Sequence, residues 1–292
     1  MTALAAPAAA DRSRLATALL IAPAAVAFFF LLVLPLIVIL VYSVGERAPE
    51  GGYAPGFTAE NYLNLGARGK AFLNTLLLAP LGTLLTALAA YPMAYYLAVK
   101  VSPRWRTVLL ILVIVPFWTS QLLRYYAWIL ILGSKGIPAY LAAIGLEGIR
   151  IINTPWSVLI GAVYGFLPLM VLPIYVSLER LDKGLLEAAA DLGAAPARAF
   201  AQVTLPLSLP GVATGSMLTL ILFMGDFILP AFLGGGKVFF IGNALVDLFL
   251  QSRNWPFGAA VAVALVVIMV VTVFAYMRFV LAHSGARRQA VL

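Results

Sequence analysis

Long apolar blocks alternate with short polar stretches along this chain. A helix that crosses a bilayer needs about 20 mainly apolar residues. Six segments meet that length: about Leu19–Tyr42, Phe72–Ala98, Thr107–Leu132, Trp156–Leu178, Val212–Leu233 and Phe257–Leu281. Backbone amides in lipid must be paired internally, so the six are predicted as helices. The period-two alternation of a membrane barrel is absent. Gln121 and Arg124 interrupt the third segment, whose membrane part is expected to end near Thr119, leaving Tyr125–Leu132 at the interface. Pro35, Pro92, Pro116, Pro168, Pro173 and Pro230 lie inside or at the ends of segments. In a membrane bundle they read as tolerated kinks.

Composition supports lipid as the solvent. The chain is 63% hydrophobic and 10% charged, against roughly 45–50% and 25% in soluble domains. The net charge of +8 comes from basic residues scattered between apolar blocks. They form no stripe, so nucleic acid is excluded as a partner and the bilayer favoured. Basic residues near the segment ends place the N-terminus in the cytoplasm, and the compact group Lys100, Arg104 and Arg106 is the strongest vote. Arg12, Arg14, Arg180, Lys183, Arg198, Arg278, Arg287 and Arg288 fall on the same side. An even number of spans then puts both termini inside. Ala8-Ala9-Ala10 looks like a cleavage site, but the apolar run follows it and extends from Leu15 to Val44, longer than a signal-peptide core of roughly 7–15 residues. It reads as an uncleaved first span.

There is no cysteine, which excludes thiolate metal sites and a cysteine nucleophile. The single histidine, His283, sits among basic residues near the C-terminus and reads as solvated. No catalytic, cofactor or metal-binding constellation is visible. Gly234-Gly235-Gly236-Lys237 imitates the end of a phosphate loop, but Ala231 stands where the first glycine is needed and Val238 where Ser or Thr is needed.

The stretch between the fourth and fifth segments, residues 180–206, is too long and too alanine-rich for a plain connector. Leu181, Leu185, Ala188, Ala189 and Leu192 recur at helical spacing, with Glu187 and Asp191 on a different face. Gly193 is placed to cap that helix in the left-handed conformation. Pro196 suits the first turn of a second helix, which Leu205 and Pro206 are expected to stop. The result is two short helices with a fixed bend. An alanine face anchors poorly in lipid and suits a protein groove, with Phe200 as one protruding ring.

The pattern Glu187-Ala188-Ala189, Gly193, Val203, Leu205-Pro206 resembles the EAA loop of permease subunits from binding-protein-dependent ABC importers. Val203 stands where that family carries isoleucine. The resemblance implies an all-α integral membrane protein of the bacterial inner membrane, with six transmembrane helices in the type I importer permease (MetI-like) fold. It implies a tail, first helix and outer loop over 1–70, a permease core over 71–282 and a tail over 283–292. It also implies that Glu187 orients the coupling elements, that Gly193 permits the bend, and that the loop seats on an ABC ATPase dimer. ATP and magnesium would be bound there and not in this chain. A second, related permease subunit and a periplasmic binding protein are the other implied partners.

Two further stretches, Pro116–Trp128 and Gly225–Gly235, resemble the spermidine/putrescine branch of that family, and more weakly the branches for ferric iron, sulfate and other small solutes. Asp226 is placed about fourteen residues into its segment, roughly 21 Å at 1.5 Å per residue, where an unpaired carboxylate is costly. Ammonium groups bind carboxylates and aromatic faces, and Trp118, Tyr125, Tyr126 and Trp128 are expected nearby. Asp226 either takes the solute's cation or pairs with Arg124 to fix the bundle. The leading reading is an importer permease for a polyamine-like cation. The alternatives are the same mechanism for an amino-acid derivative, opine or iron complex, or an ion-coupled secondary transporter. The last leaves the cytoplasmic loop unexplained, and charge within the spans is sparse where such a transporter needs charged midplane residues.

Overall fold

The computed structural model describes residues 8–288; the side chains of 8–16, Ala18, Lys183 and 279–288 lie outside the described set. Expectations resting on Arg12, Arg14, Lys183, His283, Arg287 and Arg288 therefore lie outside it too. The elements are α1 (Leu19–Ser43), α2 (Glu60–Lys100), α3 (Pro103–Trp118), α4 (Gln121–Leu132), α5 (Ile137–Ala143), α6 (Pro155–Glu179), α7 (Lys183–Asp191), α8 (Pro196–Gly225), α9 (Ile228–Leu233), α10 (Ile241–Gln251) and α11 (Trp255–Arg288). A two-stranded antiparallel hairpin, β1 (Glu46–Arg47) and β2 (Tyr53–Ala54), follows α1. Among the described residues, five helices are long and apolar enough to cross a membrane, and α3 with α4–α5 makes a sixth if that bent pair is one span.

The third segment ends where expected, near Thr119, and the run to Leu132 does not continue it: α3 stops at Trp118, and the chain turns through 91° before Gln121. Pro116 stands two residues before the end of α3, where the following polar run Thr119-Ser120-Gln121 offers little reason to remain in lipid. The fifth segment is displaced. It was expected over Val212–Leu233, but α8 begins at Pro196 and ends at Gly225. Asp226 thus lies beyond the helix, in the break before α9, and not within a span.

Leu205 and Pro206 do not stop a helix either. A proline ring crowds the carbonyl four residues back and removes one hydrogen bond. Here a π turn at Phe200–Thr204 widens the helix just before Pro206, with the Leu205 amide donating to the Phe200 carbonyl. The same device precedes Pro35, where Phe29–Val33 is π-helical and the Leu34 amide donates to the Phe29 carbonyl. A third π turn, Tyr96–Lys100, closes α2.

The described residues fall into two compact units. In one, made of residues up to Leu65 with Leu248–Ala264, Tyr42 stacks on Tyr53 at 4.2 Å and Asn61 Nδ2 donates to the carbonyls of Ser43 and Gly45. The most apolar stretch of α1 buries none of its side chains within the chain. In the other unit, Gly66–Asp247 with the described residues from Leu265 onward, α2, α6 and α8 pack on one another. Small residues let these backbones approach, as helices in lipid require. A Cβ on Gly211 would run into the Pro173 carbonyl, and one on Gly215 would stand 2.8 Å from Met170 Sδ. Ala90, Ala94, Met170, Val171 and Ile174 form the buried seam. Arg106 closes one end of it, donating to the Ala98 carbonyl at 3.0 Å and to Glu179 at 3.3 Å, while Tyr175 donates to the same carboxylate.

Candidate functional site

The break after α8 opens onto a cavity of about 600 Å³. Phe117 from α3, Gln121, Arg124 and Tyr125 from α4, Gly165 and Phe166 from α6, and Ile221 from α8 line it, together with Gly225–Ile228 of the break. The 91° turn of the third segment delivers the polar face of α4 to this place. Gly165 leaves room: a Cβ there would meet nothing within 4 Å.

Asp226 is held by its own backbone. Its Oδ1 accepts from the amides of Ile228 at 2.8 Å and Leu229 at 3.2 Å. An aspartate that bonds amides two and three residues on starts a turn or helix, and here it starts α9. Asn243 of α10 braces the same break by donating to the Phe227 carbonyl at 2.7 Å. Among the described residues, Oδ2 accepts one hydrogen bond, from the Tyr125 hydroxyl at 3.3 Å, and Gln121 Nε2 donates in turn to that hydroxyl.

Arg124 does not pair with Asp226. Its guanidinium carbon lies 5.8 Å from the Phe117 ring centroid and 6.0 Å from that of Tyr164, both within cation–π range. Its Nε is buried without a hydrogen-bond partner. The ion pairs among the described residues are Arg68–Asp247 and Arg106–Glu179. The bundle-fixing pair considered for Asp226 is thus absent, because Asp226 is committed to its own turn while Arg124 lies over aromatic faces.

Of the expected residues the cavity gathers Arg124, Tyr125 and Asp226. Trp118 is 84% exposed, Tyr126 packs edge-on against Phe232 at 5.3 Å, and Trp128 against Tyr164 at 5.5 Å. None of the three is among the cavity walls. The reading by sequence missed Phe117, Gly165 and Phe166, and noticed Gln121 only as an interruption. The Gly161–Gly165 spacing in α6 was the available signal for a place where side-chain volume is withheld.

The segment between α6 and α8 has the expected bend. Asp182 caps α7 by accepting from the Gly184 amide at 2.9 Å. Gly193 has φ +78°, and the Ala194 amide donates to the Ala189 carbonyl while the Gly193 amide donates to that of Ala190, the paired closure of a left-handed cap. Pro196 takes the first position of α8. Glu187 and Ala188 are exposed and Ala189 half-buried, whereas Val203 and Pro206 are half-buried and Leu205 is exposed. Phe200 is a correction. Because α8 runs on past Pro206, its ring turns inward and lies edge-on to Tyr91 and Tyr95 of α2, at 5.8 and 5.6 Å. The apolar side chain that stands out of this segment is Leu192, 89% exposed.

Residues 13–284 match the model of the binding-protein-dependent transport system inner membrane components. The chain belongs to that family. It is a multi-pass inner-membrane component of a binding-protein-dependent transport system. The spermidine/putrescine transport system permease protein PotB of Haemophilus influenzae is 42% identical over 254 residues, covering 85% of this chain and 88% of the relative. PotB of Escherichia coli is 41% identical over 227 residues, covering 76% and 82%. Among solved structures, a bacterial ABC transporter that imports the acidic polysaccharide alginate superimposes with TM-score 0.74 at 18% identity, over 92% of this chain and 96% of that one. The MetNI methionine ABC transporter gives TM-score 0.55 at 19% identity, over 78% and 99%. At such identities the two structures speak for the shared importer-permease fold. The EAA-like pattern around Glu187 is therefore one part of a match that runs nearly the whole length of the permease.

Proposed function

We propose that this permease carries a small organic cation of the polyamine type into the cell, as one of two related membrane subunits driven by a separate ABC ATPase dimer. It spans the bilayer six times, counting α3 with α4–α5 as one, and both termini are cytoplasmic. A periplasmic binding protein delivers the solute. The segment around Glu187, Ala188, Ala189 and Gly193 receives the movement of the ATPase. ATP and magnesium bind in that partner, and this chain holds no cofactor.

The observation that carries the substrate class is Asp226. A carboxylate locked by its own backbone at a cavity wall offers Oδ2 as a fixed acceptor for an ammonium group. Charge-assisted bonds of this kind are the strong ones. Phe117, Tyr125 and Phe166 add aromatic faces that attract organic cations. The names of the PotB relatives support the same class. Alternating access then requires the helices packed around the cavity to shift as rigid elements.

Arg124 favours a second reading within the same mechanism. A guanidinium with an unpaired Nε beside a carboxylate suits a solute that carries both an amine and an acid, such as an amino-acid derivative. Competition separates the two. Proteoliposomes holding the full transporter would take up labelled spermidine in an ATP-dependent way, with unlabelled putrescine competing and γ-aminobutyrate not competing. Uptake of γ-aminobutyrate in place of spermidine would replace the first reading with the second.

A further inference from the structure

We propose that Phe200 is the positioning residue through which movement of the α7 segment reaches α2. The proposal rests on the reading that a separate ATPase drives this permease, and it adds the path inside the chain. Tyr91 and Tyr95 lie four residues apart, so they stand on one face of α2. Phe200 meets both rings nearly perpendicularly, at 87° and 88°. A displacement of the Phe200 ring therefore bears on both tyrosines at once. All three rings are half-buried, and Phe200 sits at the margin of the packed seam.

The backbone on both sides of this contact is π-helical. Phe200 opens the π turn Phe200–Thr204, and the π turn Tyr96–Lys100 starts at the residue after Tyr95. Such turns mark functional sites more often than ordinary helix does. Beyond them the helices are joined again by a hydrogen bond of 2.8 Å between the hydroxyls of Tyr91 and Ser208, the latter fully buried. On the other side, the Schellman closure at Gly193 and the Pro196 start leave only four residues, Leu192–Ala195, between α7 and α8. A push on α7 therefore arrives at Phe200 after a short, bonded turn. From there the ring contact carries it to α2, which with α6 and α8 forms the buried seam.

The chain has no native cysteine, so a single engineered pair tests the path cleanly. The full transporter is reconstituted in proteoliposomes. ATPase co-purification, ATP hydrolysis stimulated by the binding protein, and labelled spermidine uptake are then read for each variant. Phe200→Ala is expected to keep ATPase co-purification and to lower uptake per ATP by about tenfold, within the range for breaking one contact of a coupling path. Phe200→Tyr is expected to retain uptake. The double variant Tyr95→Cys/Phe200→Cys is expected to be uncoupled when reduced and to recover when a short bis-maleimide joins the two positions. Recovery shows that the protein is folded and that the two positions move together. The proposal is overturned if Phe200→Ala leaves uptake per ATP unchanged, if it releases the ATPase, or if the cross-link blocks transport instead of restoring it. If the unaltered transporter takes up no spermidine yet responds to its binding protein with ATP hydrolysis, the substrate reading fails. The same variants are then judged on that response. If no ATPase co-purifies with the unaltered permease, the coupling reading and this path fall together.

Discussion

The Tyr125 hydroxyl donates to Asp226 Oδ2 at 3.3 Å, linking the start of α4 to the break between α8 and α9. The bond joins two places where the apolar pattern of the chain gives way, and both line one cavity. Tyr125→Phe removes the bond and keeps the ring. A typical intramolecular hydrogen bond contributes about 0.5–1.5 kcal/mol. The expected result is a rise of a few-fold in the apparent KM for uptake with little change in yield of folded protein, read from concentration-dependent uptake.

The cap and the charge of Asp226 are separable. Asp226→Asn keeps a side-chain oxygen for the amides of Ile228 and Leu229 and loses the negative charge. Asp226→Ala loses both. Losing a helix-starting oxygen costs about 1 kcal/mol, so the alanine variant should melt at lower temperature in detergent while the asparagine variant stays near wild type. Both should lose most of their uptake at low spermidine. Equal melting temperatures for the two would show that the turn does not depend on this side chain.

Arg124 and Asp226 make no ion pair, so exchanging their charges should not rescue either loss. The double variant Arg124→Asp/Asp226→Arg is expected to remain inactive in uptake, at or below the weaker single variant. Full recovery would mean that the pair acts as a structural clamp in some part of the cycle.

Glycine positions offer an internal comparison of packing against open space. Gly211→Ala would set a methyl group against the Pro173 carbonyl and the Ser177 side chain, whereas Gly165→Ala meets nothing within 4 Å. Overpacking costs about 1–3 kcal/mol. Thermal unfolding of the purified permease should therefore drop clearly for Gly211→Ala and hardly at all for Gly165→Ala. At Gly193, where φ is +78°, the left-handed conformation costs any side chain about 1–2 kcal/mol. Gly193→Ala is expected to weaken coupling, and Gly193→Asn, which tolerates that region better, to weaken it less.

Much of this molecule was legible before its structure, and the limits have physical causes. The ends of the fourth apolar run follow from hydropathy because lipid demands length: Trp156–Leu178 was expected and α6 spans Pro155–Glu179, whereas α2 starts twelve residues before the expected Phe72 and α11 runs seven past the expected Leu281. The bend at Gly193 follows from a local rule about left-handed caps, and the structure has it. The fifth span was misplaced because Leu205-Pro206 was read as a stop. A π turn absorbs that proline, and no composition rule announces a π turn. Phe200 was assigned to the wrong neighbour for the same reason, since its direction depends on whether the helix continues. The cavity was half visible. Asp226, Arg124 and Tyr125 stood out as polar groups in apolar company, but Gly165 and Phe166 arrive from α6 and are brought there only by tertiary packing.

The account stands most directly on the carboxylate at the break. Labelled spermidine uptake by the reconstituted transporter, measured against concentration for the unaltered permease and for Asp226→Asn, tests it. A hydrogen bond to a charged partner contributes about 1.5–3 kcal/mol, which is roughly 10- to 100-fold in affinity. The account predicts saturable, ATP-dependent uptake for the unaltered permease and a loss of that size in uptake at low spermidine for the variant. Uptake curves that coincide for the two proteins would contradict it.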